Sequence, residues 1–185
     1  MINQYVNTIL EQILFEFARL LAAELEEGAD STLVAERFRM LRSGRITISQ
    51  TIRQWEGANT LNGACVFCGS AEHVHTDYLI PRSRGGEAVV ENRIHVCESC
   101  RASRGDRGIY EWLGIEQASR LDRVVIGQYL RLLIMRHVSA RTLNTSRHTL
   151  HRLCERCPMG SCCEERKSVG QLTDYCLESV LPRHM

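Results

Sequence analysis

Two Cys-x-x-Cys pairs, Cys65-Val-Phe-Cys68 and Cys97-Glu-Ser-Cys100, stand 28 residues apart in a chain of 185. Each pair can turn two thiolates toward one point, and two such knuckles complete the tetrahedral sulfur shell of a structural zinc. Four sulfurs leave no vacant position, so this metal would hold structure and not do chemistry. Closing the shell also joins the ends of a 36-residue segment and brings the residues after Cys68 beside those after Cys100. A second set lies near the C-terminus: Cys154, Cys157, the adjacent Cys162 and Cys163, and Cys176, with His148 and His151 just upstream. Cys154, Cys157, Cys162 and Cys176 would suffice for a second zinc or for an iron–sulfur cluster, and their spacing does not choose between them.

The composition narrows the classes. It is 44% hydrophobic and 24% charged with only three prolines, which excludes a disordered or low-complexity chain. No apolar run approaches the roughly 20 residues of a membrane span, so no membrane partner is expected. The N-terminus shows no basic stretch followed by an apolar core, so no secretory signal is visible. Nine cysteines in such a chain fit thiolate ligation in a reducing cytoplasm better than a disulfide framework. Of 23 basic residues only Lys167 is a lysine. Arginine's planar fork suits phosphate recognition, although a GC-rich genome produces the same bias. The net charge of +1 is not that of a strong non-specific nucleic-acid binder.

Around the knuckles, the elements read as helices. Val6, Ile9, Leu10, Ile13, Phe17, Leu20 and Leu21 recur at helical spacing, and Gly28 ends that stretch. Asp30 or Ser31 can cap a second helix through Leu33, Val34, Phe38 and Leu41, and a short third runs through Ile52 and Trp55. No basic recognition face appears on them, so a plain helical hairpin is expected in preference to a DNA-reading helix–turn–helix. Between the cysteine pairs, residues 73–80 alternate like a strand, Pro81 to Gly86 reads as a loop, and residues 91–96 read as the returning strand. Ser119 to Asp122 forms a capping-box pattern ahead of another helix. The expected organisation is a helical segment 1–58, a cysteine-bracketed centre 59–114, a helical segment 115–146 and a cysteine-rich tail 147–185. This is an α+β, mostly helical chain with a small zinc-stapled core flanked by helices.

The centre resembles a known family. Cys65-x-x-Cys68, Thr76-Asp77-Tyr78-Leu79-Ile80-Pro81-Arg82-Ser83-Arg84-Gly85-Gly86, Glu91-Asn92, Cys97-x-x-Cys100, Ser103-Arg104-Gly105-Asp106 and Glu111-Trp112 are similar to the zinc-containing form of the HNH endonucleases. The resemblance implies a ββα-metal core around a divalent cation that cleaves phosphodiester bonds. It also exposes departures. Where relatives carry Asp-His, the metal ligand and the water-activating base, this chain has Asp77-Tyr78. Where they carry Asn or His after the last cysteine, it has Arg101, and only Asn92, which orients the base, is kept.

The resulting expectation is an HNH-like zinc protein that binds DNA or RNA or acts as a scaffold, with its nuclease chemistry impaired or lost. A phenol titrating near 10 is a poor base at neutral pH, and a guanidinium repels the cation it replaces, pairing instead with Asp77. Arg82, Arg84, Arg101, Arg104 and Arg107 would then form a phosphate-facing shell. One alternative is an active Mg²⁺- or Mn²⁺-dependent endonuclease using Asp77, His75 and Asn92, since His75 shares a strand face with Asp77. Another is an accessory subunit without a nucleic-acid role, the N-terminal helix serving as interface to a protein partner or a second copy.

Overall fold

The computed structural model describes residues 6–23, 31–58, 63–154, 157 and 172–182. The element order is α1 (Ile9–Ala23), α2 (Ser31–Arg42), α3 (Ile48–Ala58), β1 (Val74–Tyr78), β2 (Arg93–Cys97), α4 (Glu98–Arg104), α5 (Ile109–Ala118), α6 (Arg123–Ser139) and α7 (His151–Cys154). A 3-10 segment, Asp174–Val180, closes the described chain. The architecture is α+β and mostly helical, with one two-stranded antiparallel sheet.

α6 is the centre of the helical body. It buries residues on every side, from Val124 to His137, because α1, α3 and the C-terminal 3-10 segment all lean on it. Gly127 permits the closest of these approaches: a Cβ there would meet Trp55 at 3.0 Å and Phe17 at 3.2 Å. Those two rings stack with centroids 5.3 Å apart. The apolar stripe of α1 (Ile9, Ile13, Phe17, Leu21) lies against α2, α6 and the 3-10 segment. The expected interface on this helix is therefore corrected: the chain's own elements cover the stripe. Its first amides are also taken, Ile9 N donating to Thr145 O at 3.1 Å and Leu10 N to Leu143 O at 3.0 Å.

The cap of α6 differs from the expected one. Asp122, not Ser119, accepts from Val124 N at 2.7 Å, while Ser119 ends α5. Both are short polar residues suited to caps; Asp122 stands at the N-cap position, where its carboxylate reaches the second amide of the helix.

The 3-10 segment works as a strap. The buried Glu178 carboxylate accepts from Tyr129 Oη at 2.5 Å and from the amides of Tyr110 at 2.7 Å and Glu111 at 2.8 Å, capping α5 from 67 residues away in sequence. Burial lifts its pKa to about 7 against those three donors. His137 is held between Leu177 O at 2.9 Å and Thr142 Oγ1 at 2.8 Å. A carbonyl only accepts, so Nε2 carries the proton and Nδ1 accepts from the hydroxyl. Burial pushes this imidazole down to about 4.

Where the strap meets α1, Gln12 Nε2 donates to Asp174 at 2.7 Å, and Glu16 sits beside both. Burial, then the neighbouring Asp174 carboxylate, raises Glu16 to about 8. An unfolded glutamate titrates at about 4.3. Between those values the folded chain keeps a proton that the unfolded chain releases, so stability is fullest below the lower value and falls as pH rises toward the upper. Thermal melting between pH 5 and 8 should show this decline. Glu16→Gln, the neutral isostere, should reduce it and leave the share due to Glu178; an unchanged slope in that variant would contradict the account.

Candidate metal centre and the neighbouring hairpin

β1 and β2 pair antiparallel with Val74 opposite Cys97, His75 opposite Val96, Thr76 opposite His95, Asp77 opposite Ile94 and Tyr78 opposite Arg93. α4 begins directly after β2, so Cys97 ends the strand and acts as the N-cap of the helix, while Cys100 lies in its first turn. The first knuckle folds back onto the same strand through Val66 N to His95 O at 2.9 Å. Within the knuckle, Cys65 N donates to Ser70 O and Gly69 N to Cys65 O, both at 2.8 Å. Gly69 takes a positive φ of 75°, which the tight reversal requires.

These elements bring Cys65, Cys68, Cys97 and Cys100 together, with all four sulfurs within 4.8 Å of one another. Cys68 and Cys97 Sγ are 3.6 Å apart. A tetrahedral ion with metal–sulfur bonds near 2.3 Å needs sulfurs roughly 3.8 Å apart, so the set fits a thiolate metal centre. The Ser99 hydroxyl and then the Cys100 backbone amide hold the Cys97 thiol down at about 6, supplying a thiolate ready to ligate. Burial raises Cys100, whose proton a metal would displace.

Beyond the knuckle, the loop from Leu79 to Asn92 is clasped by one side chain. Asn92 is fully buried; its Oδ1 accepts from Ile80 N at 2.8 Å, and its Nδ2 donates to Ile80 O at 2.9 Å and Glu87 O at 2.8 Å. Leu79 N adds a bond to Asn92 O at 2.8 Å. Gly86 passes so close that a Cβ there would overlap the carbonyl of Ile80.

Two arginines expected on a phosphate-facing shell are interior. Arg104, 1% exposed, donates Nη1 to Tyr78 O at 2.9 Å, Nη2 to Leu79 O and Nε to Arg107 O at 3.0 Å, with its guanidinium over Phe67. Burial lowers its pKa, and nearby groups including Asp77, Glu178 and Asp106 oppose that shift. Arg84, also 1% exposed, pairs with Glu111 at 3.1 Å. Arg82 and Arg101 are exposed and Arg107 is half-buried. The expected pairing of Arg101 with Asp77 is corrected as well. No ion pair joins them among the described residues; the Asp77 carboxylate instead favours the charged form of the buried Arg104, from the last turn of α4. An exposed guanidinium on a short surface helix keeps its hydration, which a shared interior site would remove.

Asp77 is half-buried and its Oδ1 accepts from Tyr78 N at 2.9 Å. His75 lies two residues away on the same strand face and is exposed. Among the described residues no trio of His, Cys, Asp or Glu gathers about Asp77.

Comparison with protein families matches residues 65–107 to one, described as HNH endonuclease. The chain carries an HNH endonuclease-like domain. The match begins on the first thiol of the cluster and ends just after α4, so α1–α3 and α5 onward lie outside it. No curated protein and no solved structure matches the chain. The four-thiol centre within the HNH domain agrees with the zinc-containing type of that family.

The C-terminal cysteines gain no such support. Cys154 is exposed while Cys157 and Cys176 are buried, and these three form no metal-ready group; Cys162 lies outside the described residues. The strut role of Arg104 and the clasp role of Asn92 were not legible as such. The one available signal was the dense Arg, Gly and Asn punctuation of residues 81–107.

The HNH domain can be tested at both its staple and its clasp. Elemental analysis should count one ion per central cluster, and Cys97→Ser or a strong chelator should remove it and lower the melting temperature. Asn92→Ala would strand three backbone groups and should destabilise by about 2–4 kcal/mol in a denaturant titration. A cost below about 1 kcal/mol would deny the clasp.

Proposed function

We propose that this protein binds nucleic acid through a zinc-stapled HNH-like centre and does not cleave it. The observation that carries the reading is a pair of residue types: Tyr78, next to Asp77, at the general-base position and an exposed Arg101 at the ligand position. A general base works best with a pKa near ambient pH, which an imidazole has and a phenol near 10 does not. Arg101 has no lone pair to offer a metal. Zinc is the ion that best suits four thiolates at these separations, and it serves here as a staple with no open position. The exposed Arg82 and Arg101 supply guanidinium forks for phosphate oxygens on the rim of the hairpin.

A second reading draws on His75. Its place on Asp77's strand face, open to solvent, would allow it to activate water beside an Asp77-bound Mg²⁺ or Mn²⁺. Asn92 could not then orient it directly, since both its amide groups are bound to loop backbone.

Plasmid DNA incubated with the pure protein and Mg²⁺ or Mn²⁺ should stay supercoiled. Tyr78→His combined with Arg101→Asn should introduce nicking, and adding Asp77→Ala should abolish it. Metal-dependent cleavage by the unaltered protein, lost in His75→Ala, would replace the first reading with the second.

A further inference from the structure

Outside the HNH domain, α1, α2, the turn after it, α3 and the start of α6 line an open basin of about 700 Å³. Arg37, Arg45, Arg53 and Arg123 all line it, together with Gln50 and Gln54, and among the described residues no carboxylate does. This contrasts with Arg19, Arg42, Arg84, Arg120 and Arg131, each of which has a glutamate partner. Arg37, Arg45 and Arg53 have no ion pair with any described residue. The Nε of Arg37 is buried without a hydrogen bond, and its Nη1 reaches only Met40 Sδ at 3.8 Å. Four like charges around one concavity raise its positive potential, a state that an anion relieves.

We propose that this basin is a seat for the phosphate backbone of duplex nucleic acid. The guanidiniums come from four separate stretches and exceed what one phosphate group can occupy, which matches a backbone offering one charge per nucleotide. Exposed Gln50 and Gln54, one turn apart on α3, add neutral donors of the kind that hold sugar and phosphate oxygens. Trp55 offers no stacking platform: it is buried, Phe17 stacks on it, and Arg123 lies over its ring at 5.2 Å. Without an exposed aromatic the basin lacks the means by which single strands are usually gripped, and contact falls on the backbone independently of sequence. The inference deepens the nucleic-acid-binding reading and rests on it.

The test measures anisotropy of a labelled duplex of about 20 base pairs over a salt series. Arg45→Gln/Arg53→Gln removes two exposed side chains with no described partner, so the fold should survive; unchanged melting and metal content check this. Weakening of roughly tenfold or more is expected, with the log–log salt slope reduced by about 2. Arg120→Gln/Arg141→Gln, two exposed arginines elsewhere, should leave binding within about twofold. Duplex binding that survives the basin variant but falls with Arg82→Gln/Arg101→Gln would overturn the basin and leave the functional reading intact. No duplex binding by the unaltered protein would overturn both. Equal competition by inorganic phosphate at matched ionic strength would overturn the duplex assignment.

Discussion

The convergence of four thiols is the constraint on which the centre of this protein depends. A hairpin of two five-residue strands has little core of its own and would be marginal alone in water. Drawing Cys65 and Cys68 onto Cys97 and Cys100 fixes the knuckle to the end of β2 and the first turn of α4. Once α4 is so placed, its last turn presents Arg104 to the two carbonyls that leave β1. The path is continuous: sulfur cluster, helix direction, arginine strut, loop.

That path also explains why buried cations belong to this centre. Carbonyls of Tyr78, Leu79 and Arg107 surround one guanidinium, and Glu111 meets the other at Arg84. A buried charge is tolerated when hydrogen bonds and counter-charge replace its water; for Arg104 the turning backbone provides the bonds, whereas Arg84 relies on Glu111 and keeps Nε and Nη2 without a partner among the described residues. The loop in turn gains donors for carbonyls that a sheet of two strands cannot satisfy. Asp77, one residue before the first of those carbonyls, accepts from the amide of Tyr78.

The helical body is organised by a different force. α6 is enclosed by α1, α3 and the strap, and the strap returns Glu178 to the N-terminus of α5. Helix amides carry partial positive charge there, which favours a carboxylate, while burial opposes its ionisation; the titration near pH 7 is the balance of the two. The body thus links the segments on either side of the HNH domain without drawing on its metal centre. It also leaves a concavity to which four arginines contribute.

Much was legible from spacing alone. Paired cysteines, the alternation of residues 73–80, and the helical recurrence of Ile9, Ile13 and Phe17 each encode geometry within a few residues, and the elements formed where those patterns stand. The residue types at Tyr78 and Arg101 could be read directly from the sequence. What only the tertiary structure decided was the fate of individual polar side chains. Arg84 and Arg104 went inside and Arg82 and Arg101 stayed out, although all four sit in one arginine-rich stretch. Arg37, Arg45, Arg53 and Arg123 met around one basin, although they are scattered over 87 residues. Local periodicity is a property of neighbours in the chain, whereas the environment of a long charged side chain is set by segments distant in sequence, which no short pattern records.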